Sequence, residues 1–420
     1  VKDKYGVDIT PQWLDHVRLS TGRLAYCTAS FVSPEGLMLT NHHCVARCVA
    51  EHSSRESSLV QTGFIADRRE KEKRCGTQVV DVLTTIEDVT AIVRASTRNV
   101  GDTAANEARK QTLTKLEQSC EATASKSKSP LRCQAVTLYE GGQYLLYKYQ
   151  RYDDVRLVFS PEAAIAAFGG DPDNFQFPRW CLDMGLLRAY ENGKPARTPN
   201  YLQIDFEGPA AGEPVFVVGN PMSTQRLLTL AQLKAIRQTE LPPTLVRLSE
   251  LRGRYLQFAA GGVEAERVVH VPMMAIENRL KIGRKLMDSL LDEDLIAAKA
   301  SEEQQLRAAV AANGELQREL GDPWEKIARA EAANYAISPA YSLLESAAGF
   351  ESRLFRYARL LARGAEERAK PNEQRLHDYS DTALPRIEQE IRADVPVYAE
   401  LEQINLSTWL ARMQEWLGPD

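Results

Sequence analysis

No run in the 420 residues reaches the 18 or so consecutive apolar positions that a membrane-spanning helix needs. Neither sign of charge dominates: 52 lysines and arginines face 57 aspartates and glutamates, a net charge of −5. The chain therefore carries no general basic field, and nucleic acid is not an expected partner. There is no C-x-x-C pair, which weakens zinc-ribbon and thioredoxin-like readings. No convincing internal repeat or low-complexity tract occurs, and collagen-like and disordered classes are excluded by a composition that is 44% hydrophobic and 26% charged. The chain begins at Val1 rather than methionine. Any signal peptide is expected to be missing already, so its absence says nothing about export. What remains is a large globular protein whose length fits two or three domains.

The seven cysteines are unevenly placed, six of them within the first 133 residues and none after Cys181. Clustering in one region suits disulfides formed in an oxidising compartment, and buried free thiols are the blander alternative. We expect disulfides.

Residues 1 to about 224 read as a β-rich domain, because short apolar runs recur between turn residues: "SFVSPEGLMLT", "TQVVDVLT", "QYLLYKYQRYDDVRLVF", "LDMGLLRAY" and "EPVFVVGNP". Ser33-Pro34-Glu35-Gly36 predicts the turn of a hairpin. A helical insert is expected from about Asp102 to Glu121. From 225 to 420 apolar residues recur at spacings of three and four with charges between them, which is helical periodicity. Asp322-Pro323 predicts a helix start, while Pro339, Pro371, Pro385 and Pro396 punctuate later segments.

Two stretches carry chemistry. In the first, an apolar strand runs into Thr40-Asn41-His42-His43-Cys44. Histidine is the side chain best suited to take and return a proton near neutral pH. A bridge from Cys44 to Cys27, on the expected neighbouring strand, would fix the backbone there. Zinc ligation by His42, His43, Cys44 and Cys48 is the competing reading, weakened because adjacent histidines point in different directions. A satisfied structural histidine is the plain alternative. The second stretch, "FGGDPDNFQFPRWCLDMGLLRAY", holds Asp171, Asp173 and Asp183. The first two suit a tight loop. Asp183 opens an apolar strand, where an ionised carboxylate is costly unless paired, so it is the better candidate to orient an imidazole. Pairing with an arginine such as Arg188 is the alternative.

These residues carry a resemblance. "TNHHC" is similar to the "TAAHC" of chymotrypsin-fold serine peptidases. "SFVSPEGLMLTNHHC", "GGDPDNFQFPR…D", "VGNPMSTQR", "ENRLK" and the opening "KDKYGVDITPQWLDHVRLST" together resemble the bacterial dipeptidyl-peptidase 7 and dipeptidyl-peptidase 11 family of serine peptidases. The resemblance spans residues 1 to about 285. It implies a β plus α fold: a chymotrypsin-like β-barrel, the first of a double-barrel peptidase, followed by an α-helical domain. It assigns the general base to His43 and its orienting acid to Asp183. Asn174, Phe175 and Asn278 are implied to bind a substrate's free amino terminus, and the helical domain to form a lid, so that dipeptides are released. Asparagine carbonyls and an aromatic face suit an ammonium group, which offers donors and no acceptor. Further implications are peptide substrates with a free N-terminus, no cofactor or metal, a homodimer in the full-length protein, and a periplasmic or secreted location. The remaining disulfides are expected as Cys48–Cys75 and Cys120–Cys133, leaving Cys181 free.

The sequence departs from the family pattern at Phe175, often tryptophan there, at Trp180-Cys181-Leu182, and at the "GNPM" of 219–222. It also lacks the G-x-S-G type turn that would hold the nucleophile and its oxyanion hole. Ser30, Ser33 and Ser223 do not have the glycine pattern. The expectation is a fragment without the serine-bearing second barrel, inactive alone. The alternatives are a non-catalytic peptide-binding protein on the same scaffold and a zinc hydrolase centred on His42, His43 and Cys44.

Overall fold

The computed structural model describes residues 1–420 apart from 26, 125–130, 167, 221–224 and 419–420. The Pro221, Met222 and Ser223 of the "VGNPMSTQR" motif, and the predicted boundary at 224, lie outside the described residues. The chain packs as two compact units that interleave in sequence. The first comprises 1–167, 181–221 and 357–396, and the second comprises 168–180, 222–356 and 397–420.

The first unit is built on one sheet of eleven strands, every pair antiparallel. In chain order these are β1 (Thr21–Arg23), β2 (Thr28–Phe31), β3 (Leu37–Thr40), β4 (Phe64–Ile65), β5 (Lys73–Arg74) and β6 (Val80–Asp88), then β7 (Leu131–Leu138), β8 (Gln143–Tyr152), β9 (Asp154–Ser160), β10 (Gly185–Glu191) and β11 (Lys194–Pro195). The spatial order is β4-β9-β10-β3-β2-β1-β6-β8-β7, with β5 on β9 and β11 on β10. Alternation dictates the core: Phe31, Met38, Val155, Leu157, Leu187 and Ala189 are sealed from solvent. Each of the larger side chains contributes about 1.5–3 kcal/mol by leaving water. The predicted hairpin forms, with Ser30 opposite Leu39 and Phe31 opposite Met38.

The predicted helical insert spans Asp102–Ala124 and packs on β7. Two of its carboxylates serve the strand directly: Glu117 Oε1 accepts the Ala135 N–H at 2.7 Å and Glu121 Oε1 accepts the Cys133 N–H at 3.0 Å. The 357–396 segment belongs to this unit through such contacts as His377 Nε2 to Glu117 at 3.2 Å and Gln389 Nε2 to the Gly76 carbonyl at 3.3 Å.

The second unit is helical, as its periodicity predicts. Helices Leu241–Ala259, Val263–Leu291 and Ala399–Leu417 meet around Leu248, Leu251, Tyr255, Val269, Ile276 and Leu280. Asp322 caps the Pro323–Tyr341 helix, accepting the Glu325 N–H at 3.0 Å. Pro339 does not end that helix but sits within its last turn. Among the described residues no helix is long and apolar enough to cross a membrane.

One predicted strand is not formed. "EPVFVVGNP" has no ladder among the described residues, and Val215 and Val217 are 69% and 101% exposed. A β-strand exists only where a neighbour takes its amides and carbonyls, and alternation alone does not supply one.

Candidate active site

The first constellation is assembled by strand register. β10 runs antiparallel to β3 with Gly185 opposite Thr40, so the residue entering β10 meets the residues leaving β3. From Thr40 the chain turns through Asn41 into the helix His42–Glu51. That helix can approach β10 because position 185 is glycine: a Cβ there would stand 2.9 Å from Val45 Cγ2. Two disulfides tie the helix to the sheet, Cys27–Cys44 at its first turn and Cys48–Cys75 further along. A third, Cys120–Cys133, ties the insert to β7, and Cys181 is a free, half-buried thiol.

Three donors converge on the Asp183 carboxylate. The His43 backbone N–H donates to Oδ1 at 3.0 Å, His43 Nδ1 lies 2.8 Å from Oδ2, and Asn41 Nδ2 donates to Oδ2 at 3.2 Å and to the Asp183 carbonyl at 3.1 Å. The Asp183 side chain is only 9% exposed, so this matching is what makes its charge tolerable. The first amides of a helix have no partner within it and carry the positive end of its dipole. Here the carboxylate of Asp183, two residues ahead of β10, occupies that position, while the Asn41 side chain makes no cap of its own. A carboxylate can only accept, so Nδ1 carries the proton of this bond, and in the neutral ring Nε2 is then the acceptor. The His43 side chain is 27% exposed, whereas His42 is buried.

Arg188, the alternative partner for Asp183, is engaged elsewhere, with Glu72 at 2.9 Å and the Glu35 carbonyl at 2.8 Å. The zinc reading fails on chemistry. The sulfurs of Cys27 and Cys44 lie close to the His43 ring nitrogens, but they and Cys48 are bonded in disulfides and have no thiolate to offer.

The second group lies wholly in the helical unit. The loop Phe168–Trp180 is held against the helix Val263–Leu291 at several points. Gly169 has φ +83°, and a Cβ there would run into the Met274 carbonyl oxygen. Lys281 Nζ donates to the Asp171 carbonyl, and the buried Asp171 carboxylate pairs with Arg179 at 3.2 Å. Asp173 accepts the Trp180 N–H at 2.6 Å, and that bond, ahead of all else, holds its carboxyl below the usual range. Asn174 Nδ2 then donates to Asn278 Oδ1 at 3.1 Å, bringing together two of the residues singled out in the sequence. Phe175 follows at φ +66° and is 58% exposed, so it is not a core residue. A bulky residue held in the left-handed region is strained, and such strain concentrates at functional sites. Sequence reading missed Asn41, Gly185 and the Asp171–Arg179–Lys281 clamp. Asparagine immediately before a run of helix formers is an N-terminus signal that could have placed the helix start at His42.

An antiparallel sheet with a histidine–carboxylate pair at one strand end, plus a helical unit, defines a class, and comparison with known proteins names it. The whole chain, residues 1–420, matches the peptidase S46 family, and it belongs to that family. It is 30% identical over 414 residues to an Asp/Glu-specific dipeptidyl-peptidase of Shewanella putrefaciens, covering 93% of this chain and 54% of that one. With a dipeptidyl-peptidase 7 of Phocaeicola vulgatus it shares 28% over 302 residues, 69% of this chain and 42% of the other. The chain thus spans about half the length of these relatives. Its fold matches that of Porphyromonas endodontalis DPP11, a crystal structure in complex with the dipeptide Arg-Glu, with a TM-score of 0.72 at 20% identity over 95% of this chain and 58% of the other.

Proposed function

We propose that this chain is the proton-transfer half of a serine-type dipeptidyl aminopeptidase, in which the sheet of the first unit is the first barrel of a chymotrypsin-like pair. The observation that carries the reading is the threefold matching of Asp183, which leaves His43 Nε2 as a base of fixed tautomer. In the reaction Nε2 removes the proton of a serine hydroxyl as its oxygen attacks the peptide carbonyl. The resulting imidazolium is stabilised by Asp183 and gives its proton to the departing amine, leaving an acyl-enzyme that water cleaves by the same relay.

The serine and second barrel are assigned to the part of the relatives' length that this chain does not span. In support, Val215 and Val217 are 69% and 101% exposed, in an apolar segment with strand alternation and no partner strand among the described residues. The substrate's ammonium group is assigned to Asn174, Phe175 and Asn278. Asn174 Oδ1 is sealed from solvent with no hydrogen-bond partner among the described residues, a costly state that an incoming donor would relieve once the loop shifts. An ammonium site of this kind selects substrates with a free N-terminus.

The test is dipeptide release by the full-length gene product from peptides with free and acetylated N-termini. Cleavage of the free form alone, lost by about 10³-fold or more in His43→Ala, is expected. Near-normal turnover by that variant refutes the assignment of the base. Residues 1–420 alone are expected to release no dipeptide.

A further inference from the structure

The helical unit contains a cavity of about 840 Å³, within the range of small-molecule sites, that shares no residue with the candidate active site. Its wall includes two π-helical turns, Ile236–Glu240 and Ser342–Ser346, closed by the Leu241 N–H on the Ile236 carbonyl and the Ala347 N–H on the Ser342 carbonyl. Such wide turns are rare and recur at functional sites.

Among the described residues, one guanidinium in this wall is reached by a carboxylate, Glu351, only through space and without an ion pair. Arg247 lies 5.3 Å from the Phe350 ring and, among the described residues, makes no hydrogen bond or ion pair. The surrounding acids are already matched: Glu250 by Arg412 and Arg254, Glu351 by Arg279. Burial pulls the Arg247 guanidinium below its ordinary pKa, a sign that solvent compensates its charge poorly. Glu240, on the same wall, is pushed up by burial and then by Glu331, so it opposes an incoming anion less than a free carboxylate would. The rest of the wall is largely apolar and aromatic, with Tyr341, Leu343 and Trp416 beside Phe350.

A half-buried fork of N–H donors without an acceptor, set in an aromatic-lined cavity, recognises a carboxylate carried on an apolar body. The geometry points to a binding site in this cavity for the carboxyl terminus of a short apolar peptide, held by Arg247. It is independent of the ammonium site, because Arg247 and its cavity share no residue with Asn174, Phe175 or Asn278.

The test is calorimetric titration of the full-length gene product with N-acetyl-Leu-Phe and with its C-terminal amide. Acetylation removes the ammonium group, so the candidate active site is not probed. The acid is expected to bind about tenfold or more tightly than the amide, and Arg247→Gln to abolish that difference. Ala336→Phe, which fills the cavity and leaves Arg247 in place, is expected to weaken both probes. Melting curves establish that both variants fold. Equal binding of acid and amide, or binding unchanged in either variant, overturns the site. Failure of a cooperatively melting wild-type protein to bind either probe also overturns it, and points to a stretch of its own polypeptide filling the cavity.

Discussion

Replacing Asp183 with asparagine changes one heavy atom and tests the relay directly. The carboxylate now accepts from the His43 N–H on Oδ1 and from His43 Nδ1 and Asn41 Nδ2 on Oδ2. An asparagine has one acceptor and one donor group. Keeping the backbone bond places its NH₂ where Oδ2 was, facing two donors. Asn41 can turn its amide, at the cost of its bond to the residue-183 carbonyl. His43 can respond only by moving its proton to Nε2, which is then no longer a base. The expected loss in kcat is about 10⁴-fold, or roughly 5.5 kcal/mol of transition-state stabilisation, with KM little changed. Loss of charge-assisted bonds at a helix start costs about 1–2 kcal/mol of stability besides. Dipeptide release gives the kinetic change, and ¹⁵N NMR of the histidine rings gives the tautomer. Activity within tenfold of wild type, or lost activity with the Nδ1–H tautomer intact, refutes the reasoning.

Other consequences are open to measurement. Gly185→Ala forces Val45 and the His42–Glu51 helix away from β10 and should cost about 1–3 kcal/mol, with activity falling further than stability alone explains; adding Val45→Ala should restore part of both. Opening Cys48–Cys75, which closes a separation of 27 residues, should lower stability by roughly 3.5 kcal/mol, visible as a lower melting temperature of the Cys48→Ser/Cys75→Ser variant. Burial holds the His270 imidazole below its ordinary value, with Glu266 opposing more weakly. The folded form therefore resists protonation, and the helical unit should be fully stable above about pH 6.5 and lose stability as pH falls below it, a slope that His270→Gln flattens. His377 has the opposite sign. Asp378 first and then Glu117 raise its pKa to about 10, so its contribution is present below about pH 6.5 and lost as pH rises toward 10. Over half of that side chain is exposed, so screening keeps the effect small, and His377→Gln should remove it from the alkaline limb of a melting-temperature profile.

How much of this was legible in the sequence depended on whether a signal was local. Strands β2 and β3 could be read from alternation because each is buried at every second residue, and β8, β9 and β10 because they alternate over their first four residues. The Asp322 cap could be read because its ligand is three residues away. The sequence hides the helix that begins at His42 soon after a strand: two polar imidazoles mask its apolar stripe, and its cap comes from residue 183. β7 is not among the predicted strands: of "LRCQAVTL" only Cys133 is buried, so the strand lacks the regular buried face that alternation signals. The crossing of 168–180 into the helical unit rests on Gly169 at the Met274 carbonyl and on Asn174 to Asn278, contacts that no window on the chain contains.

The segment "EPVFVVGNP" shows what a pattern can and cannot imply. Alternating valines specify a face to be covered, and in β8 and β9 the covering exists, so Leu146, Val155 and Leu157 are buried. At Val215 and Val217 the same alternation stands in solvent, although Gly219 is held at the sheet by the Asn220 N–H bonded to Thr28 Oγ1 at 2.8 Å. Propensity is thus satisfied and pairing is not, which locates the missing information in another stretch of polypeptide rather than in these residues. If so, a synthetic strand that pairs with 213–218 should protect its amides from hydrogen exchange. If those amides exchange freely in the full-length gene product, the second-barrel reading loses its structural support.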